Sequence, residues 1–397
     1  MRRRTNNRQH QEAPAMKRNV ILLSLSQGLM ITGSSLVLAS SPLVGKALSG
    51  YKSLSTLPFA LLFLTQMTTT VPASMFMGRV GRRLGFMNGA MFGLAGAAVA
   101  TGGVYSGSFV IFCIGTTLIG VFNGFGQYYR FAAADVASQE FRSRAISYVL
   151  AGGVIAAFAG PNLANWSRRF LPAEFAGSYA SLILIYLLSF AIATLLKIPH
   201  TAAASHSENG RPLSVIARQQ AYIVAVASAM VGYGVMNFIM IATPLAMQFY
   251  AHPFSDTAFV IQWHVFGMYA PSFFTGHLIR RFGVANIMLT GIVLLGLCVG
   301  VNVAGSTVMH FWVSLFSLGL GWNFLFIGAT TLLTETYSFN EKAKAQALND
   351  FIVFGTVTLT SFSSGAVQHT LGWETLNLGV IPFLVFIIIA NLWLRRR

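Results

Sequence analysis

A chain of 397 residues, 55% hydrophobic and only 9% charged, is not a soluble domain, since those carry about 25% charged residues. Its net charge of +16 raises nucleic acid as a partner, but the placement of the charges described below makes it a topology signal and excludes that reading. The two cysteines, Cys113 and Cys298, sit inside apolar runs and offer neither a disulfide framework nor metal-ligand spacing.

In chain order, the basic segment 1–19 reads as a cytoplasmic tail. The apolar run at 20–44 exceeds the about 7–15 residues of a signal-peptide core, so an uncleaved first span is expected. Further runs long enough to cross a ~30 Å hydrocarbon layer as helices fall at 53–77, 86–107, 109–130, 145–166 and 178–197. The longest polar interruption, 198–220, reads as a cytoplasmic linker. Six more runs follow at 221–249, 257–279, 284–304, 309–332, 347–368 and 375–394, then a basic tail at 395–397. With the N-terminus in the cytoplasm, Lys46, Lys52, Arg168 and Arg169 are the only basic residues, out of 26, that fall outside cytoplasmic segments or their helix ends. The positive-inside rule therefore places both termini in the cytoplasm. The expected fold is an all-α polytopic membrane protein. Its twelve transmembrane helices form two pseudo-symmetric six-helix bundles, 20–197 and 221–394.

The two halves repeat. At an offset of two hundred residues Asp135 matches Glu335, Arg142 matches Lys342, Asn123 matches Asn323 and Ala145 matches Ala345. A second pair of connectors agrees: RVG at 79–81, with Gly89 beyond it, recurs as RFG at 281–283 with Gly291. Internal repeats of this kind mark secondary transporters, in which one half moves against the other around a midplane site.

The stretch SMFMGRVGRRLGF resembles the loop 2–3 signature of the major facilitator superfamily, G-x-L-x-D-R-x-G-R-R. Arg79, Gly81, Arg82 and Arg83 match it, while Ser74 replaces the first Gly and Gly78 the Asp. The second copy, GHLIRRFG, keeps Gly276, Leu278, Arg281 and Gly283, with Arg280 at the Asp position. The resemblance implies the major facilitator fold and alternating-access transport of a small solute, in a bacterial inner membrane. It also implies a cytoplasmic latch whose ion pairs exist in one transport state. The candidates are Arg79, Arg82 and Arg83 against Asp350, and Arg280 and Arg281 against Asp135, with Gly81 and Arg142 in the same connectors. These residues equally read as anchors that set topology. Span 4 has GVFNGFG where proton-coupled exporters carry R-x-x-Q-G-x-G, so Gly120 stands in place of the Arg and Asn123 in place of the Gln. Span 5 keeps the Gly160–Pro161 pair of the antiporter pattern, which also reads as a simple helix bend. Gly89/Gly93, Gly120/Gly124 and Gly296/Gly300 read as close helix packing.

None of the ten acidic residues falls at the midplane, which disfavours a dedicated cation exporter. Near the midplane lie neutral polar and aromatic groups: Gln27 with Ser34, Asn123 with Gln127, Tyr233 with Asn237, and Trp322 with Asn323, while Trp263 and His264 lie beside Gln262 in the outer half of span 8. Singly each reads as an interhelical hydrogen bond or an interface anchor, and His264 as a neutral hydrogen-bonding group or a titrating one. Together they suit a polar, planar, largely uncharged solute, held by stacking and paired hydrogen bonds. The expected function is secondary uptake of a vitamin-like compound such as a flavin, with a proton as candidate coupling ion. The alternative is a proton-coupled multidrug or metabolite efflux antiporter. Enzyme motifs (HExxH, GxSxG, a Cys-His cluster) are missing from the sequence, and no cofactor or metal is expected. The expected partners are the solute and the bilayer, and the expected state is a monomer.

Overall fold

The computed structural model describes residues 2–137, 141–198, 210–338 and 341–395, and no strand occurs among them. In hydrocarbon an unpaired backbone amide costs several kcal/mol, so a helix, which pairs its own backbone, is the form these apolar runs adopt. The elements in order are α1 (Arg2–Leu48), a 3-10 turn (Lys52–Leu54), α2 (Leu57–Val80), α3 (Arg82–Tyr105), α4 (Phe109–Gly126) and α5 (Tyr129–Val136). There follow α6 (Arg142–Ser167), α7 (Ala176–Leu195), the short linker helix α8 (Leu213–Ala217), α9 (Gln220–Phe249) and α10 (Phe254–Tyr269). The chain ends with α11 (Ser272–Phe282), α12 (Val284–Ala304), α13 (Val308–Thr334), α14 (Lys342–Leu378) and α15 (Ile381–Arg395).

Among the described residues nine helical stretches are long and apolar enough to cross a membrane. Every window read as a span in the sequence lies on a helix or a pair of helices. The eighth window is divided between α10 and α11, and the last two share a run that leaves helical geometry at Gly372 (φ 80°). Large apolar side chains such as Val71, Ile155, Val293 and Leu359 are exposed, as a hydrocarbon solvent requires. The protein is an all-α polytopic membrane protein.

The chain forms two compact units: Met1–Val37 with Thr65–Ala203, and Leu38–Leu64 with Ala204–Arg397. In unit 1, α3 packs against α4 and α7 around the fully buried rings of Phe86, Phe112, Phe122, Tyr179 and Tyr186. Asn19 closes this unit. Its amide donates to the Lys197 carbonyl (2.7 Å) and its Oδ1 accepts from the Lys197 N–H (3.1 Å), tying α1 to the end of α7. In unit 2, α13 packs against α9, α10 and α12, and α9 also packs against α14.

The repeat seen in the sequence is present in the backbone. Gly81 (φ 88°, ψ 155°) joins α2 to α3, and Gly283 (φ 84°, ψ 151°) joins α11 to α12. Both lie in the left-handed half of conformational space, where a side chain is strained. The helix pairs that follow also match. A Cβ at Gly96 of α3 would fall 2.8 Å from the Gly115 carbonyl and 2.8 Å from the Ile119 N–H of α4. A Cβ at Gly291 of α12 would fall 2.8 Å from the Gly321 carbonyl and 2.8 Å from the Leu325 N–H of α13. The same backbone-on-backbone contact is thus built twice, and it cannot admit a methyl group without parting the helices. Gly291→Ala is accordingly expected to destabilise unit 2 by about 1–3 kcal/mol, read as a lower melting temperature in detergent. Gly296 and Gly300, by contrast, have open space beside them. They face away from the helix contact, which corrects the packing role expected from their spacing.

The break between α10 and α11 falls at Ala270–Pro271, where the ring removes a backbone donor. One side chain bridges the break. Asn323 of α13 donates to the Met268 carbonyl (2.7 Å) and to Ser272 Oγ (2.7 Å), and accepts from Thr275 Oγ1 (2.7 Å).

Candidate functional site

Unit 2 carries a group of rings on three helices. Trp322 and Phe326 lie one turn apart on α13 and stack at 5.0 Å with an interplanar angle of 11°, as side chains at i and i+4 can. Tyr233 of α9 stands edge-on to Trp322 (5.2 Å) and to Phe326 (5.6 Å), and Phe354 of α14 joins it at 6.2 Å. Asn237, the next residue on the Tyr233 face, is fully buried. Its amide N–H groups are shared among the Val357 carbonyl (3.1 Å), Thr360 Oγ1 (2.9 Å) and Ser361 Oγ (2.8 Å) of α14. That leaves two buried polar atoms without a partner in this neighbourhood, Asn237 Oδ1 and Trp322 Nε1. One accepts and one donates, and an unmet buried polar atom costs about 1–3 kcal/mol.

The other candidates of unit 2 are placed differently. Asn323 adjoins Trp322 in sequence, but its amide serves the α10–α11 break. His264 is fully buried, and its Nδ1–H donates to the Leu315 carbonyl (2.8 Å), joining α10 to α13. Trp263 belongs to a separate ring group with Phe266 (5.4 Å), Trp312 (6.0 Å) and Phe316 (6.3 Å). That group adjoins a cavity of about 790 Å³ lined by Phe259, Trp312, Tyr250 and His252.

In unit 1, Asn123 of α4 donates to Ser34 Oγ of α1 (3.1 Å), while its Oδ1 is buried without a partner. Beside it Phe122 packs on Tyr186 of α7 at 4.8 Å, and the Tyr186 hydroxyl is likewise buried without a partner. Gln27 is buried on α1, and Gln127 caps the end of α4, its N–H donating to the Asn123 carbonyl (3.1 Å).

Among the described residues, one of the candidate latch arginines forms a tight pair. Both Nε and an Nη of Arg82 meet Asp135 Oδ2 at 2.6 Å, joining the start of α3 to α5 within unit 1. The sequence pairs each of them differently, Arg82 with Asp350 and Asp135 with Arg280 or Arg281. Arg79, Arg83, Arg280 and Arg281 are exposed at helix ends, with Arg281 over the ring of Phe282 (5.3 Å). Asp350 is exposed near the start of α14 and accepts from Asn349 Nδ2 (3.0 Å). The side chain of Arg142 lies outside the described residues.

A stronger pair was missed. Arg211, just before α8, donates from Nε to Glu341 Oε1 (2.8 Å) and from Nη2 to Glu341 Oε2 (2.8 Å). Its backbone N–H reaches Glu341 Oε1 (2.7 Å), and Nη2 also reaches the Thr336 carbonyl (3.0 Å). Glu341 further accepts from the Ser338 N–H (2.9 Å), and Lys344 Nζ donates to the Arg211 carbonyl. The fork holds the Glu341 carboxyl well below the usual carboxylate range and raises Arg211 above its own. Glu341 is only 2% exposed, but its cover is the loop that binds it and half-exposed Arg211, so water stays close to the pair.

Comparison with known proteins bears on this geometry. The sugar (and other) transporter family profile matches residues 10–211. The riboflavin transporter RfnT of Brucella anthropi is 41% identical over 381 residues, 95% of this chain and 96% of that protein. Two uncharacterized MFS-type transporters of Bacillus subtilis, YdeG and YddS, are 25% and 24% identical, each over 96% of this chain. With helices of spanning length, a duplicated backbone and full-length similarity to transporters, the chain belongs to the MFS-type secondary transporters, as a multi-pass protein of the bacterial inner membrane that carries a small organic solute.

Proposed function

We propose that the solute is riboflavin or a closely related flavin, and that the direction is uptake. The observation that carries this reading is the ring group Tyr233–Trp322–Phe326–Phe354 with Trp322 Nε1 and Asn237 Oδ1 left over beside it. A flavin presents a flat, neutral, fused ring whose edge alternates hydrogen-bond donors and acceptors. Flat rings gain from offset or edge-on contact with aromatic side chains, and the edge matches one free donor and one free acceptor. The full-length similarity to a protein described as a riboflavin transporter supports the same solute. Gln27, Asn123 and Gln127 of unit 1 are proposed as candidate solute contacts from their chemistry, neutral amides that can both donate and accept. Tyr233, Asn237 and Trp322 are assigned the ring, while His264, Trp263 and Asn323 support the helices that carry it.

The exposed arginines Arg79, Arg83, Arg280 and Arg281, with Asp350, are proposed as contacts that change partner between transport states. Both termini are proposed to be cytoplasmic, from the distribution of basic residues, and the protein to act as a monomer.

The test is uptake of riboflavin into proteoliposomes of the purified protein, with and without an inward proton gradient. Saturable accumulation, inhibited by unlabelled riboflavin and by no sugar, is the expected result. Stimulation by the gradient identifies a proton symporter. A well-folded preparation that neither accumulates riboflavin nor is thermally stabilised by it would show the reading to be wrong.

A further inference from the structure

A second polar constellation lies at the end of unit 2 where α1 passes through the 3-10 turn into α2. A cavity of about 240 Å³ is walled there by Lys46, Lys52 and Ser55, and by Gln368, His369 and Trp373 of α14. The Gly365 backbone meets side-chain hydroxyls of the opposite wall. The Gly365 N–H donates to Thr56 Oγ1 (3.2 Å), and a Cβ at Gly365 would fall 2.7 Å from Ser55 Oγ. Gly372, at φ 80°, ends the regular helix one residue before Trp373.

The chemistry of this cavity is one-sided. Lys46 is half-buried and Lys52 exposed, and among the described residues neither forms an ion pair. Lys46 Nζ donates to the neutral Gln248 Oε1 (2.7 Å), which holds it at the rim. Glu374, next in sequence to Trp373, is exposed and does not line the cavity. Trp373 (4% exposed) and Ser55 (1% exposed) are buried with Nε1 and Oγ unpartnered. Two ammonium groups, an indole N–H, a hydroxyl and an imidazole thus surround one space, in a chain that is otherwise sparing with charge. Such a donor set suits a compact oxyanion, because charge-assisted hydrogen bonds are roughly twice as strong as neutral ones. Gln368 Oε1, also unpartnered, adds one acceptor, which suits a ligand bearing a hydroxyl beside its anionic group. The volume is below the about 300–1,000 Å³ of pockets for whole drug-sized ligands, so a headgroup-sized fragment fits. Along α9, Gln248 lies roughly 22 Å from Tyr233, so this cavity is separate from the ring group.

We propose that this cavity binds the phosphate group of a small hydroxylated phosphate ester, carried either by a soluble monoester or by an anionic phospholipid headgroup. The test follows the melting temperature of the full-length protein in neutral detergent, in phosphate-free buffer at constant ionic strength. Glycerol 3-phosphate is titrated, with glycerol as the uncharged control. In parallel the protein is placed in nanodiscs of phosphatidylglycerol or of phosphatidylcholine. A saturable rise with glycerol 3-phosphate and none with glycerol assigns the site to a soluble ester. Stabilisation by phosphatidylglycerol discs alone assigns it to lipid. Either response should weaken about tenfold in apparent affinity in the Lys46→Gln/Lys52→Gln variant. Trp373→Phe keeps the ring and loses only the N–H, and is expected to cost about threefold. Lys52→Gln alone, at an exposed position, guards against misfolding of the double variant. No response from either probe, or a response of undiminished affinity in Lys52→Gln and the double variant, overturns the proposal.

Discussion

Trp322→Ala is expected to raise the KM for riboflavin uptake by at least about tenfold, the equivalent of roughly 1.4 kcal/mol of lost ring contact. The alanine variant also loses a buried indole, which in protein interiors costs about 3–5 kcal/mol of stability. Trp322→Phe separates the two effects. A phenyl ring can still stack on Phe326 and meet Tyr233 edge-on, so the protein should stay folded. Only the indole N–H is lost, and KM should rise by about fivefold, corresponding to one neutral hydrogen bond of about 1 kcal/mol. Trp263→Phe is the control, because Trp263 packs with Phe266, Trp312 and Phe316. There KM should stay within about twofold, since uniform binding of the solute is untouched. The measurement is initial uptake rate against riboflavin concentration for the three variants and the parent protein. Equal KM values for Trp322→Phe, Trp322→Ala and the parent would remove Trp322 from the site.

The membrane fold was legible because hydrophobic length is a local property. Each apolar window could be read without knowing what it packs against, and RVG and RFG announced a duplication that Gly81 and Gly283 now show as matching backbone angles. Tyr233 and Asn237 could be grouped for the same reason, since i and i+4 share a helix face. Phe326 and Phe354 were passed over, although Phe326 stands four residues after Trp322. A phenylalanine in a span carries no signal of its own, because lipid contact and ring stacking ask for the same residue. Asn323 looked like a solute ligand because an amide in an apolar helix must have a partner, and its sequence position does not say which. The Ala270–Pro271 break was the partner.

Charge pairing was the least legible. Arg82 and Asp135 are 53 residues apart and Arg211 and Glu341 are 130 apart, and in connectors with several like residues any pairing satisfies the composition. The family pattern sent Arg82 toward Asp350, since Gly78 lacks the expected acid. The structure finds the acid for Arg82 on α5 instead, one connector along in the same unit.

Glu341→Gln is expected to lower the melting temperature by about 3–6 °C and to slow uptake with little change in KM. The amide keeps the shape of the carboxylate but cannot accept two parallel bonds from a guanidinium at full strength. The Arg211 and Ser338 N–H groups lose the charge of the carboxylate they share, so the segment before α8 loosens from the α13–α14 connector. Solute contacts are untouched, which is why the effect should fall on the rate. The pH dependence has a definite sign. Arg211 holds the Glu341 carboxyl below its ordinary range, so its contribution is fully present above the unfolded carboxylate pKa of about 4.3. It is lost as pH falls from there toward the depressed folded value. The melting-temperature gap between parent and Glu341→Gln should therefore be constant from about pH 8 to 5 and narrow below about pH 4. Arg211→Lys gives the complementary result. A lysine keeps the charge and loses the fork, so it should recover part of the stability but not the parallel pair of bonds. If Arg211→Lys and Glu341→Gln both melt and transport like the parent protein, the Arg211–Glu341 pair has no part in the transport cycle, and the tight geometry at Glu341 serves only the local turn.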